Sequence, residues 1–131
     1  MVIELTSGIT ATLIQEAVRA HPDECCGLLL GQSGLVTEAR AAANVHPDPA
    51  THFEIEPAVL LAAHRAARNG SLQVLGYYHS HPNGRARPSP ADQAAAARDG
   101  RVWAIIAGGG VTWWHDLPGG FEPLPMPIAP G

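Results

Sequence analysis

The 131-residue sequence predicts an α/β domain: a layered, mixed β-sheet flanked by helices. Three observations predict it. Short apolar stretches with period-two alternation recur along the chain, alanine- and leucine-rich segments at helical spacing lie among them, and Gly, Pro and Asn cluster at the joins. Strands and helices therefore interleave, which suits a layered sheet rather than a bundle or a barrel.

Taken in order, "VIEL" at residues 2–5 alternates as a short strand. "SGITATLIQEAVRAHP" carries Ile9, Leu13 and Val18 at roughly helical spacing and is halted by Pro22. Residues 25–30 and 35–42 read as a hairpin about a Gly/Ser turn. "NVHPDPATH" is turn chemistry throughout, and "FEIE" at 53–56 reads as a short alternating strand. Pro57 suits the first turn of a helix over 58–69, closed by Asn69-Gly70. "LQVLGYYHSH" is the most hydrophobic strand, with histidines at its far end. The loop "PNGRARP" leads to a helix from Ser89 to about Arg98, and "VWAIIAGG" and "GVTWWHD" form two final strands. Alternation puts one of Trp113 and Trp114 in the core and the other outside. The domain is set at 1–116, and the proline-dense segment 117–131 reads as a tail lying extended over the surface.

Composition narrows the function. A net charge of −4 and a pI near 5.9 leave no nucleic-acid footprint. No apolar run approaches a membrane span, and the start has neither a basic nor an apolar leader segment, so the expected location is the cytoplasm. The adjacent Cys25 and Cys26 cannot bridge without strain and lack any zinc-ligand spacing. They read as small apolar fillers facing opposite sides of a strand.

On a strand, His79 and His81 project from one face and can meet one metal ion. The other five histidines, His21, His46, His52, His64 and His115, read as structural. Ser89-Pro90-Ala91-Asp92 admits two readings. Ser at N-cap, Pro at N1 and Asp at N3 resemble a capping box, worth roughly 0.5–2 kcal/mol with no function attached. A carboxylate held in a first helical turn is also a rigid third metal ligand. Two imidazoles and one carboxylate leave a fourth zinc position for water, the catalytic arrangement. A proton acceptor would still be needed, and Glu24, in "HPDECCGLLLG", is the carboxylate in a distinctive setting.

His79-Ser80-His81, seven residues, Ser89, two residues and Asp92 together resemble the metal motif of the JAMM (MPN+) zinc metalloproteases. Glu24 before an apolar strand is similar to that family's glutamate segment, and Asn44–Pro57 resembles the linker of its small prokaryotic members. The resemblance runs over about residues 1–115 and implies a JAMM/MPN, cytidine-deaminase-like fold. It implies that His79, His81 and Asp92 ligate Zn2+. Glu24 then acts as general base on the zinc-bound water, and the Ser89 hydroxyl hydrogen-bonds the oxyanion. The implied reaction is hydrolysis of the peptide or isopeptide bond after the C-terminal Gly-Gly of a ubiquitin-like or sulfur-carrier protein. An alternative is a zinc-containing module that binds such a tail without cutting it. Arg85 and Arg87 read as solvated loop arginines or as contacts to acidic groups of the carrier. A sheet edge suits an extended tail.

Overall fold

The computed structural model describes residues 3–125 and 127. Seven strands form one sheet in the order β1-β3-β2-β4-β5-β6-β7. They are β1 (Glu4–Leu5), β2 (Cys26–Gln32), β3 (Leu35–Ala42), β4 (Gln73–Ser80), β5 (Val102–Ala107), β6 (Gly110–Leu117) and β7 (Gly120–Leu124). The β1–β3 and β4–β5 pairs are parallel and the others antiparallel, so the sheet is mixed as expected.

Helix α1 (Ile9–Ala20) covers one face and α2 (Pro57–Arg68) packs on β4 from the other. Strand alternation divides the apolar side chains between the faces. Leu13, Leu29, Val36, Tyr78, Ala104 and Ile106 build the core under α1, while Leu28, Leu30, Ile55, Ala63 and Val74 build the second core under α2. Cys25 and Cys26 are both buried and free, one in each core, as adjacent fillers at the start of a strand should be. Trp113 is buried and Trp114 half-buried, donating its indole N–H to Thr112. Pro57 stands at N1 of α2, and Gly70 takes the left-handed conformation just beyond its end. No helix among the described residues is long and apolar enough to cross a membrane.

Three expectations are corrected. "FEIE" is not a strand: Ile55 makes one isolated bridge to Asn44, flanked by the backbone bonds Val45 N–H to Glu54 and Glu56 N–H to Ala43, and the Asn44 side chain holds the rest of this stretch. The helix from Ser89 is α3 (Pro90–Ala95), shorter than expected. The buried carboxylate of Asp116 accepts the Arg98 N–H at 3.0 Å, and Arg98 turns into a left-handed conformation, so the chain leaves the helix early. Of the segment expected as a tail extended over the surface, the described part joins the sheet. Its residues 120–124 form β7, which extends the sheet beyond β6. Pro123 is tolerated there because β7 is an edge strand. Met126 and residues 128–131 lie outside the described residues.

Gly76 lets β4 and β5 approach closely, since a Cβ there would run into the Val102 carbonyl. This parallel pairing fixes where the far end of β4 emerges. That end carries His79 and Ser80, and His81 continues it by donating its N–H to Ile106 at 2.9 Å.

Candidate metal centre and active site

Period-two alternation at the end of β4 brings the two imidazoles together, with His79 Nε2 and His81 Nε2 3.0 Å apart. Each of these nitrogens lies 3.0 Å from Asp92 Oδ2. Asp92 arrives from α3 by the capping box: Ser89 Oγ accepts the Asp92 N–H at 3.0 Å, and Asp92 Oδ2 accepts the Ser89 N–H at 2.9 Å. The cap and the cluster thus share one oxygen: the capping box is formed, and the same Asp92 oxygen faces both imidazoles. His79, His81 and Asp92 are buried.

The second nitrogens differ. His81 Nδ1 lies 2.7 Å from the Arg85 carbonyl, which can only accept, so that nitrogen carries the proton and Nε2 faces the cluster. His79 Nδ1 has no hydrogen-bonding partner among the described residues. Its ring is instead stacked on Phe53, centroids 4.3 Å apart, with the Trp103 edge at 5.5 Å. Two ring nitrogens and a carboxylate oxygen at 3.0 Å spacings face a common point, and only protons or a cation can separate such electron-rich atoms. The donor set and its oriented imidazole fit a metal ion.

Glu24 stands beside this triangle, one of its carboxylate oxygens within 4.8 Å of a ring nitrogen of each histidine. It makes no hydrogen bond to them, and its Oε1 is buried without a partner among the described residues. Asp92 at 3.0 Å therefore completes the triangle, and Glu24 stands off at the distance of a neighbour. The backbone of Glu24 is held on both sides: its N–H donates to Pro49 at 2.8 Å and its carbonyl accepts from Asn44 Nδ2 at 3.0 Å. Next to it, the Cys25 N–H donates to Ser80 Oγ at 2.8 Å.

The electrostatics separate the two carboxyls. Burial pushes Glu24 up to about 7, partly opposed by His81. Burial also acts upward on Asp92, but hydrogen bonds from His79 and His81 outweigh it and hold this carboxyl well below the usual range. Complete burial lowers His79, and on His81 burial is outweighed by Asp92 and the Arg85 carbonyl, which raise it. Glu24, His81 and Ser89 open onto a cleft of about 550 Å3 whose rim carries Arg85 and Arg87.

All five residues singled out in the sequence thus meet in one place. Sequence reasoning missed Asn44, Phe53 and Ser80. Of the histidines read as structural, His46 and His52 stack at 4.6 Å and with Asp48 form a second group of ligand-type atoms within 4.8 Å. There the Asp48 N–H occupies His46 Nδ1, and His52 Nδ1 bonds Thr51.

Residues 6–116 match the family described as prokaryotic homologs of the JAB domain. The chain belongs to that family. It is 32% identical over 100 residues to the desampylase of Haloferax volcanii, a match covering 75% of this chain and 72% of that protein. It is 36% identical over 92 residues to a probable TtuB-protein conjugate cleaving protease of Thermus thermophilus, covering 70% of this chain and 62% of that one. Among solved structures, a protein of Desulfitobacterium hafniense superposes with a TM-score of 0.84 at 27% identity, covering 98% of this chain and 94% of that chain.

Proposed function

We propose that this member of the family is a zinc-dependent hydrolase that cuts the peptide or isopeptide bond after the C-terminal Gly-Gly of a ubiquitin-like or sulfur-carrier protein. The observation that carries the reading is the triangle of His79, His81 and Asp92 at 3.0 Å spacings with the unpartnered Glu24 carboxyl beside it. The relatives named as a desampylase and as a TtuB-conjugate protease support the substrate class.

His79, His81 and Asp92 would hold the zinc. When bound, Zn2+ supplies a Lewis acid that polarises the scissile carbonyl and makes water acidic near neutral pH. Glu24, raised to about 7 by burial, takes one proton from the attacking water as its oxygen bonds to the acyl carbon. Ser89 Oγ spends a lone pair on its cap, which leaves its O–H free to donate to the developing oxyanion. As the C–N bond breaks, Glu24 returns the proton to the departing amine. The water's other proton stays on the new carboxyl until that acid releases it to the amine, so the products are the carrier's Gly-Gly carboxylate and a free ammonium group.

The test is zinc stoichiometry by elemental mass spectrometry on wild type, His79→Ala and Asp92→Ala, each checked for fold by circular dichroism. Cleavage of a panel of Gly-Gly carriers bearing C-terminal extensions accompanies it. One zinc per wild-type chain, lost in both variants, with carrier cleavage abolished by Glu24→Gln, is the expected result. Zinc-loaded protein that binds carriers and cuts none sinks the hydrolase reading.

A further inference from the structure

We infer that Asn44 is a positioning residue for the reaction: its side-chain amide ties the Glu24 backbone to the loop over residues 45–54, so the proton-handling carboxyl and one part of its cleft wall are held as one body. The inference rests on the hydrolase reading above. No hydrogen bond to the histidines fixes the Glu24 carboxyl, and its Oε1 has no partner among the described residues. Its place is therefore set through its main chain.

An amide side chain has two N–H donors and two acceptor lone pairs, and Asn44 uses all of them. Nδ2 donates to the Glu24 carbonyl at 3.0 Å and to the His52 carbonyl at 2.9 Å. Oδ1 accepts the N–H groups of His46 and Glu54, each at 3.1 Å. The Pro49 carbonyl, 3.4 Å from Nδ2, accepts the Glu24 N–H at 2.8 Å. Asn44 and its loop thus engage both main-chain polar groups of the glutamate. The same loop contributes Ala50 and Thr51 to the lining of the cleft that Glu24, His81 and Ser89 share, and beyond it Phe53 stacks on His79. Asn44 does not line that cleft, so it acts on the reaction only through the residues it holds. Aspartate has the same shape and could still accept from His46 and Glu54, but it has no proton to give the Glu24 and His52 carbonyls.

The test compares wild type, Asn44→Asp and Asn44→Ala as full chains, loaded with zinc and checked for metal content. Amide hydrogen exchange read by NMR is expected to be about tenfold faster at the Glu24 N–H in both variants. The Cys25 N–H, held by Ser80, keeps its protection. The His46 and Glu54 amides stay protected in Asn44→Asp and lose protection in Asn44→Ala. On a Gly-Gly carrier bearing a C-terminal extension, Asn44→Asp is expected to lower kcat about 10–100-fold with KM and zinc content near wild type. Asn44→Ala should lower kcat as far and raise KM as well, because the loop in the cleft wall is released. Unchanged Glu24 exchange in both variants overturns the inference, as does a loss of kcat that only follows loss of zinc or of folded protein. Wild-type kcat in Asn44→Asp overturns it too and leaves the hydrolase reading standing. No carrier cut by the wild type removes the hydrolase reading and the inference together.

Discussion

Ser80 and Cys25 bond each other twice across the β2–β4 border. The Ser80 hydroxyl accepts the Cys25 N–H at 2.8 Å, and the Ser80 N–H donates to the Cys25 carbonyl at 3.2 Å. Ser80 lies between the two imidazoles in sequence and Cys25 follows Glu24. This pair therefore fixes the glutamate against the histidines.

Ser80→Ala leaves a buried backbone N–H without its acceptor, a loss of about 1–3 kcal/mol. The expected outcome is a lower urea midpoint together with a fall in kcat at unchanged zinc content, because one of the bonds that set Glu24 against the histidines is cut. Ser80→Thr retains the oxygen and should recover most of both. Loss of zinc in the alanine variant would contradict the assignment, since neither imidazole is removed.

Glu24 makes stability depend on pH in the metal-free protein. Its carboxyl is raised from 4.5 to about 7 on folding, so across that window the folded chain holds a proton that the unfolded chain has released. Stability from this group is therefore lost as pH rises from about 4.5 to about 7. Thermal midpoints of chelated wild type should fall relative to chelated Glu24→Gln over this range, and the difference should level off above it. A difference between the two proteins that stays flat across the window counts against the shift.

Phe53 replaces a hydrogen bond as the support for His79. Orienting partners of metal-bound imidazoles typically contribute 10–100-fold in affinity. With His79 Nδ1 lacking a partner among the described residues, Phe53→Leu should weaken zinc binding by roughly tenfold, the low end of that range, while the fold persists. Competition against a chromogenic chelator measures this directly, and unchanged affinity would show that the stack is incidental.

Gly76→Ala drives a Cβ into the Val102 carbonyl, a backbone atom that cannot step aside without parting β4 from β5. A destabilisation of about 1–3 kcal/mol or more is expected, read from chemical unfolding. Zinc affinity should fall with it, because β5 carries the Ile106 carbonyl that receives His81 N–H.

Much of this was legible in the chain. His79 and His81 could be read as a pair because strand alternation is a local rule, and their rings do meet. Asp92 was legible for the same reason, its distance from Ser89 being set by the first turn of a helix. Glu24 was not legible from local rules. It reaches the cluster because β2 pairs with β4, a contact between residues more than fifty positions apart; its setting before an apolar strand marked it as a candidate, and the family resemblance gave it a role. Asn44 sits in turn chemistry and Phe53 opens a stretch whose alternation suggests a strand, while the Asn44 side chain and one isolated bridge set the actual path. The strand at 120–124 was hidden by Pro123 and the prolines that flank it, which mark a tail in most contexts, a proline being compatible with a sheet only at its edge.

One oxygen of Asp92 both starts a helix and faces the imidazoles. Mutational drift acts on the three residues of the triangle unequally as a result. A descendant could exchange either histidine for an apolar residue of similar bulk and keep its architecture, losing chemistry alone. Exchanging the aspartate frays α3 as well, so chemistry and shape go together. Retired members of such a lineage should discard their histidines first and keep the acidic residue as a vestige of the working site.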